Sequence, residues 1–143
     1  MKTDNNIKIE FLSKSCNEGF SRIAIAALAS QLDPTLEEIN EIKTAVSEAV
    51  TNAIVHAYSD RIGKIYITAK ISNQKIIISV RDKGCGIENI EKAREPLFTT
   101  GNENERSGMG FTIMESFMDK ISVRSVIGKG TKVTMTKILS PKK

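Results

Sequence analysis

The chain has 143 residues, 40% apolar and 27% charged, with a formal net charge of +4, which suits one globular domain with one core. Its longest apolar runs, Ile23–Ala29 and Ile76–Ile78, fall far short of the roughly 20 residues a membrane span needs, and the polar start Met1–Asn6 has no apolar signal-peptide stretch. We therefore expect a cytoplasmic protein without a membrane partner, with Cys16 and Cys85 as free thiols; aromatics at 5% and dispersed basic residues make direct nucleic-acid binding an unexpected role.

In chain order, Ile7–Leu12 alternates as a strand does. Ser15-Cys16-Asn17-Glu18 has the form of a capping box and predicts a helix over 17–31, with Phe20, Ile23, Ala24, Ala27 and Leu28 inward and Arg22 off that stripe. Asp33-Pro34 ends it. Thr35-Leu36-Glu37-Glu38 is a second capping box and opens a helix reaching about Tyr58. Its apolar arc is Ile39, Ile42, Ala45, Val46, Ala49, Val50 and Ala53. Glu48, Asn52 and His56, four residues apart, make a polar stripe along the border of that arc.

Lys64–Ile71 and Lys75–Arg81 alternate about a turn at Ser72-Asn73-Gln74, which predicts a hairpin. A short helix over 90–94 stops at Pro96. Residues 96–108 are polar and aperiodic, long for a connector, and read as a lid. A helix over 111–118 and a hairpin of 120–127 with 131–138 complete the chain. The order predicts a single α+β domain over 1–143, a two-layer sandwich whose mixed, mostly antiparallel sheet carries helices on one face.

Four short stretches can carry chemistry. An Asn carbonyl such as Asn52 suits Mg²⁺, and a Glu one turn earlier, Glu48, can accept a proton; the other reading is a polar helix edge bonded to loops. His56 is the sole histidine and reads as structural. Asp82-Lys83-Gly84-Cys85-Gly86 offers a carboxylate at a strand end, where it can accept from an exocyclic amine, and glycines that admit a flat ligand; alone it is also a capped turn. Gly108-Met109-Gly110 before a helix exposes backbone N–H groups to negative charge, with neither the Lys-Ser/Thr of a P-loop nor the preceding strand of a dinucleotide fingerprint. Gly128-Lys129-Gly130-Thr131 reads by itself as a hairpin turn.

Taken together and in this order, E-x-x-x-N-A-x-x-H, D-x-G-x-G, G-x-G before a helix and G-x-G-T in a late hairpin resemble the N, G1, G2 and G3 boxes of the GHKL ATPase superfamily, whose fold is the Bergerat sandwich. Within it, Glu38–His56, Pro96-Leu97-Phe98-Thr99-Thr100 and Glu105–Glu115 resemble the anti-sigma-F factors of spore-forming bacteria (stage II sporulation protein AB) over essentially the whole chain. The resemblance implies an ATP-dependent protein serine kinase that also holds sporulation sigma factor F away from RNA polymerase core, acts on an anti-anti-sigma protein and forms a homodimer. ATP or ADP and Mg²⁺ would be its ligands. It implies Glu48 as general base, Asn52 as Mg²⁺ ligand, Asp82 on the adenine amino group with Gly84 and Gly86 shaping that pocket, and Thr131 near the base. It further implies Thr99, Thr100, Ser107, Gly108, Met109 and Gly110 around the nucleotide, Arg106 at the γ-phosphate, and Arg22 and Glu105 facing protein partners. A histidine kinase would need an acceptor histidine in a dimerisation helix pair, which this chain lacks, so the acceptor would come from another molecule, in line with the serine kinase that the resemblance implies. A stress-response anti-sigma kinase and a non-catalytic sigma-binding module are the alternatives.

Overall fold

The computed structural model describes residues 4–94 and 110–140. Strand β1 (Asn5–Leu12) leads into helix α1 (Cys16–Ala29) and a 3-10 turn, Ser30–Leu32. Helix α2 (Leu36–Asn52) continues into a π-helical turn, Ala53–Ala57. Strands β2 (Lys64–Ser72) and β3 (Lys75–Asp82) follow, then helices α3 (Ile90–Ala93) and α4 (Gly110–Phe117), and strands β4 (Lys120–Val126) and β5 (Gly130–Ile138). The sheet order is β1-β2-β3-β5-β4, and all four pairings are antiparallel, so the expected parallel component of a mixed sheet is absent among the described strands.

Two-residue alternation makes the sheet two-faced. Ile65, Ile67, Ala69, Ile71, Ile76, Ile78, Val80, Val133 and Met135 are buried against the helices. The hairpin between β2 and β3 turns through Asn73 and Gln74 at φ 50 and 61, the left-handed pair that matches strand twist. Lys137 breaks the inward alternation and is held rather than stranded. Its ammonium meets Glu41 on α2 at 2.8 Å and donates to the Phe117 carbonyl at the end of α4, at 2.7 Å.

Helix α2 sits between α1 and α4 and buries Ile42, Ala45, Val46, Ala49 and Val50, as its periodicity requires. Its capping box is complete: Thr35 Oγ1 accepts from Glu38 N–H at 3.0 Å, and Glu38 accepts from Thr35 N–H at 2.8 Å. The capping box expected at Ser15 does not form, because Ser15 is itself helical (φ −57, ψ −29). Glu18 instead accepts from Ser47 Oγ on α2 at 2.5 Å.

The inward face of α1 also differs from the expected one. Ser21, Ile25, Leu28 and Ala29 are buried, whereas Phe20 is 54% and Ile23 63% exposed. The true face contains a serine whose hydroxyl is satisfied by the Glu18 carbonyl at 2.7 Å, so the hydrophobic pattern pointed one step away from it. Phe20 lies edge-on against Phe11 of β1, with centroids 6.3 Å apart.

Candidate functional site

The site lies where the C-terminal end of α2, the end of β3 and the start of α4 converge. Glu48 and Asn52 occupy the last full turns of α2, half-buried beside its apolar arc. Gly110, the first residue of α4, faces both. A Cβ on Gly110 would lie 3.1 Å from Asn52 Nδ2, 3.2 Å from Asn52 Oδ1 and 3.3 Å from Glu48 Oε1. A helix N-terminus, a carboxylate and an amide carbonyl thus meet around one small space that a side chain would fill. That donor set fits a hard cation bearing phosphate oxygens, with Asn52 as its protein ligand.

His56 lies beyond the α-helix that carries Glu48 and Asn52. The chain leaves α-helical geometry after Asn52, and Tyr58 N–H bonds back five residues to Ala53 O at 3.1 Å, so His56 sits half-buried in a π-helical turn.

The π-helical turn has a second consequence. It presents the Ala57 carbonyl to the loop after β3, where Cys85 N–H donates to it at 3.1 Å. Gly84 sits so close that a Cβ there would lie 2.3 Å from that oxygen. Gly86, at φ +80, leaves no room either: a Cβ would meet the Val126 carbonyl at 2.5 Å. The two glycines clamp the loop between the π turn and the end of β4, which fixes how far Asp82 stands from Asn52. Tyr58 braces the same region. Its hydroxyl donates to Lys64 O at 2.7 Å and accepts from Lys83 N–H at 2.6 Å.

Asp82 is buried at the inward end of β3. Its Oδ1 accepts from Gly84 N–H at 2.9 Å and Thr131 N–H at 3.2 Å, which leaves Oδ2 with acceptor capacity. Burial pushes the carboxyl above its ordinary range, and the two N–H bonds pull partly back. A desolvated acceptor fixed by two backbone donors suits an amine donor on a flat ligand. Thr131 Oγ1 lies 2.8 Å from Ser125 Oγ, which accepts from Ile87 N–H at 2.7 Å. At this end of the sheet the inward positions Asp82, Thr131 and Ser125 are thus polar, where the next inward positions, Val80, Val133 and Val123, are apolar.

Asp82, Gly84, Gly86 and Thr131 form one end of the site, and Glu48, Asn52 and Gly110 the other. Thr99, Thr100, Glu105, Arg106, Ser107, Gly108, Met109 and the lid over 96–108 lie outside the described residues. Arg22 is on α1, away from this site, its side chain 41% exposed and its Nε 3.6 Å from Glu18. Sequence reasoning missed Tyr58, Ser125 and the Ala57 carbonyl. Ser125 had a signal, a polar residue where Ile121 and Val123 set an inward apolar alternation. The Ala57 carbonyl had none, since any residue supplies one.

Residues 20–137 match the histidine kinase-like ATPase domain family. The anti-sigma F factor of Thermoanaerobacter sp. (strain X514) is 59% identical over 143 residues, 100% of both chains. That of Clostridium acetobutylicum is 58% identical over 134 residues, 94% of each. Among solved structures, the catalytic domain of the histidine kinase ThkA superposes with a TM-score of 0.59 at 19% identity, covering 97% of both chains, a likeness of fold. No helix among the described residues is long and apolar enough to cross a membrane. The family match over residues 20–137, with 58–59% identity to those relatives over 94–100% of their length, places the chain in the anti-sigma F factor family of histidine kinase-like ATPase domains.

Proposed function

We propose that this chain is a cytoplasmic anti-sigma factor that sequesters sporulation sigma factor F and, as an ATP-dependent serine kinase, phosphorylates an anti-anti-sigma protein. The observation that carries the kinase reading is the space around Gly110, bounded by Glu48 Oε1 and both polar atoms of the Asn52 amide. In the proposed reaction Asp82 and Thr131 orient the adenine end of ATP. Asn52 would hold Mg²⁺, which when bound would neutralise phosphate charge. Glu48 accepts the proton of the attacking serine hydroxyl as its oxygen bonds to the γ-phosphorus and the bond to ADP breaks. Positioning and charge neutralisation supply most of the acceleration in such transfers. Arg106 is assigned to the γ-phosphate, and Thr99, Thr100, Ser107, Gly108 and Met109 to the nucleotide.

Arg22 and Glu105 are assigned to the protein partners. Arg22 supports its part: its buried Nε faces the Glu18 carboxylate at 3.6 Å while its side chain is 41% exposed, so the outer N–H groups of the guanidinium can meet a partner carboxylate. Homodimerisation is favoured by edge strand β1, with Leu12, Phe20 and Ile23 exposed beside it.

The test incubates the protein with γ-labelled ATP and a candidate anti-anti-sigma protein. Label should appear on a partner serine and vanish with Glu48→Ala. Nucleotide binding without transfer would leave a non-catalytic sigma-binding module. Arg22→Ala should abolish capture of the sigma factor, and retained capture would remove Arg22 from that surface.

A further inference from the structure

The described helices cover one face of the sheet, and no described element covers the other. Basic residues that look dispersed in sequence are gathered there by strand alternation. Tyr66, Arg81, Lys132 and Arg124 are successive cross-strand partners on β2, β3, β5 and β4. Three cations therefore stand directly opposite one another on adjacent strands, about 4.8 Å apart in the hydrogen-bonding direction. Like charges so placed repel, and no ion pair among the described residues offsets them; Arg81 rests on the Tyr66 ring. Glu10 is the one carboxylate at an outward position of the five strands, and it faces Lys64 at 3.4 Å. The next outward row is hydroxylic: Thr68, Ser79, Thr134 and Ser122 are successive partners, with Lys8 at its end. A shallow concavity of about 320 Å³ opens on both rows, from Lys8 to Lys132.

We propose that this open face is a docking surface for an acidic segment of a protein partner, distinct from the nucleotide site on the opposite face of the sheet. Carboxylates would meet the Arg81–Lys132–Arg124 row and accept from the neighbouring hydroxyls. Two observations favour protein over nucleic acid. The sole aromatic ring on the face, Tyr66, already carries Arg81 at 4.5 Å and Lys83 at 5.1 Å, and one such ring is no platform for successive bases. An exposed apolar residue, Val126 at 58%, adjoins the charged row two residues beyond Arg124 on the same outward face of β4, and suits the apolar contacts of a protein segment.

The probe is a fluorescein-labelled octapeptide of alternating Glu and Val, titrated by anisotropy at 50 mM salt, beside a labelled oligo-dT and a DNA duplex. Intact protein should bind the peptide, and Lys132→Glu with Arg124→Glu should weaken binding at least tenfold. Lys14→Glu, off the strands, should stay within twofold. The neutral pair Lys132→Gln with Arg124→Gln should weaken binding in the same direction, which covers misfolding of the charge-reversed protein. No binding to the intact chain, or equal loss in Lys14→Glu, overturns the proposal. Tighter binding of either DNA through the same residues overturns it in favour of a nucleic-acid partner.

Discussion

Gly110→Ala separates the site from the fold. The new methyl would stand 3.1–3.3 Å from Asn52 Nδ2, Asn52 Oδ1 and Glu48 Oε1. All three are side-chain ends and can yield by a few tenths of an ångström, so the steric cost is small. Alanine also favours helix over glycine by up to ~1 kcal/mol, less at a first turn. The two effects oppose, and the net change in folding stability should stay within about 1 kcal/mol. Function should respond differently. The methyl takes the space between base and amide and displaces both, and misplacement on this scale costs transfer roughly 10- to 100-fold. Urea unfolding monitored by circular dichroism should show an unchanged midpoint, while the single-turnover rate of label transfer falls. Wild-type transfer by Gly110→Ala would show that the space is not where the reaction occurs. A large loss of stability would show that the Glu48 and Asn52 side chains cannot yield.

Gly84→Ala should do the reverse, because its Cβ would press on backbone. Relieving a 2.3 Å contact with Ala57 O needs a shift of about 1 Å, breaks the Cys85 N–H bond to the same oxygen, and should cost about 2–4 kcal/mol by urea unfolding; an unchanged midpoint would remove the clamp. Tyr58→Phe strands Lys83 N–H and Lys64 O, and should lower stability by about 1–3 kcal/mol. For Asp82→Asn the sign follows from burial. The native carboxyl holds its proton more tightly than the unfolded chain, so its stabilising contribution is full below the unfolded pKa and is lost as pH rises through the raised native pKa. The stability of Asp82→Asn relative to wild type should therefore improve between pH 3.5 and 7, with nucleotide affinity reduced; a difference independent of pH would refute the shift. Arg124→Glu replaces a repulsion opposite Lys132 with an attraction, worth about 0.2–1 kcal/mol, and should raise Tm by about 1–3 °C at low salt and not at 1 M; a lower Tm would contradict the register argument.

Periodicity and short motifs made most of this protein legible. The strands from Lys64 onward and helix α2 follow from two-residue and 3.6-residue patterns that only one burial geometry satisfies. Glu48, Asn52, Asp82, Gly84, Gly86, Gly110 and Thr131 were visible as polar residues or glycines where those patterns break. Tertiary structure decided what local pattern cannot encode. Helix α1 can bury its Ser21 face because the hydroxyl is satisfied within the helix by the Glu18 carbonyl, a bond that hydrophobicity does not register. After Asn52 the chain widened into a π turn that local pattern did not signal, and that turn brought the Ala57 carbonyl against Gly84. The cations of the open face came together only through strand register, since Arg81, Arg124 and Lys132 are neighbours by cross-strand pairing and not by position along the chain.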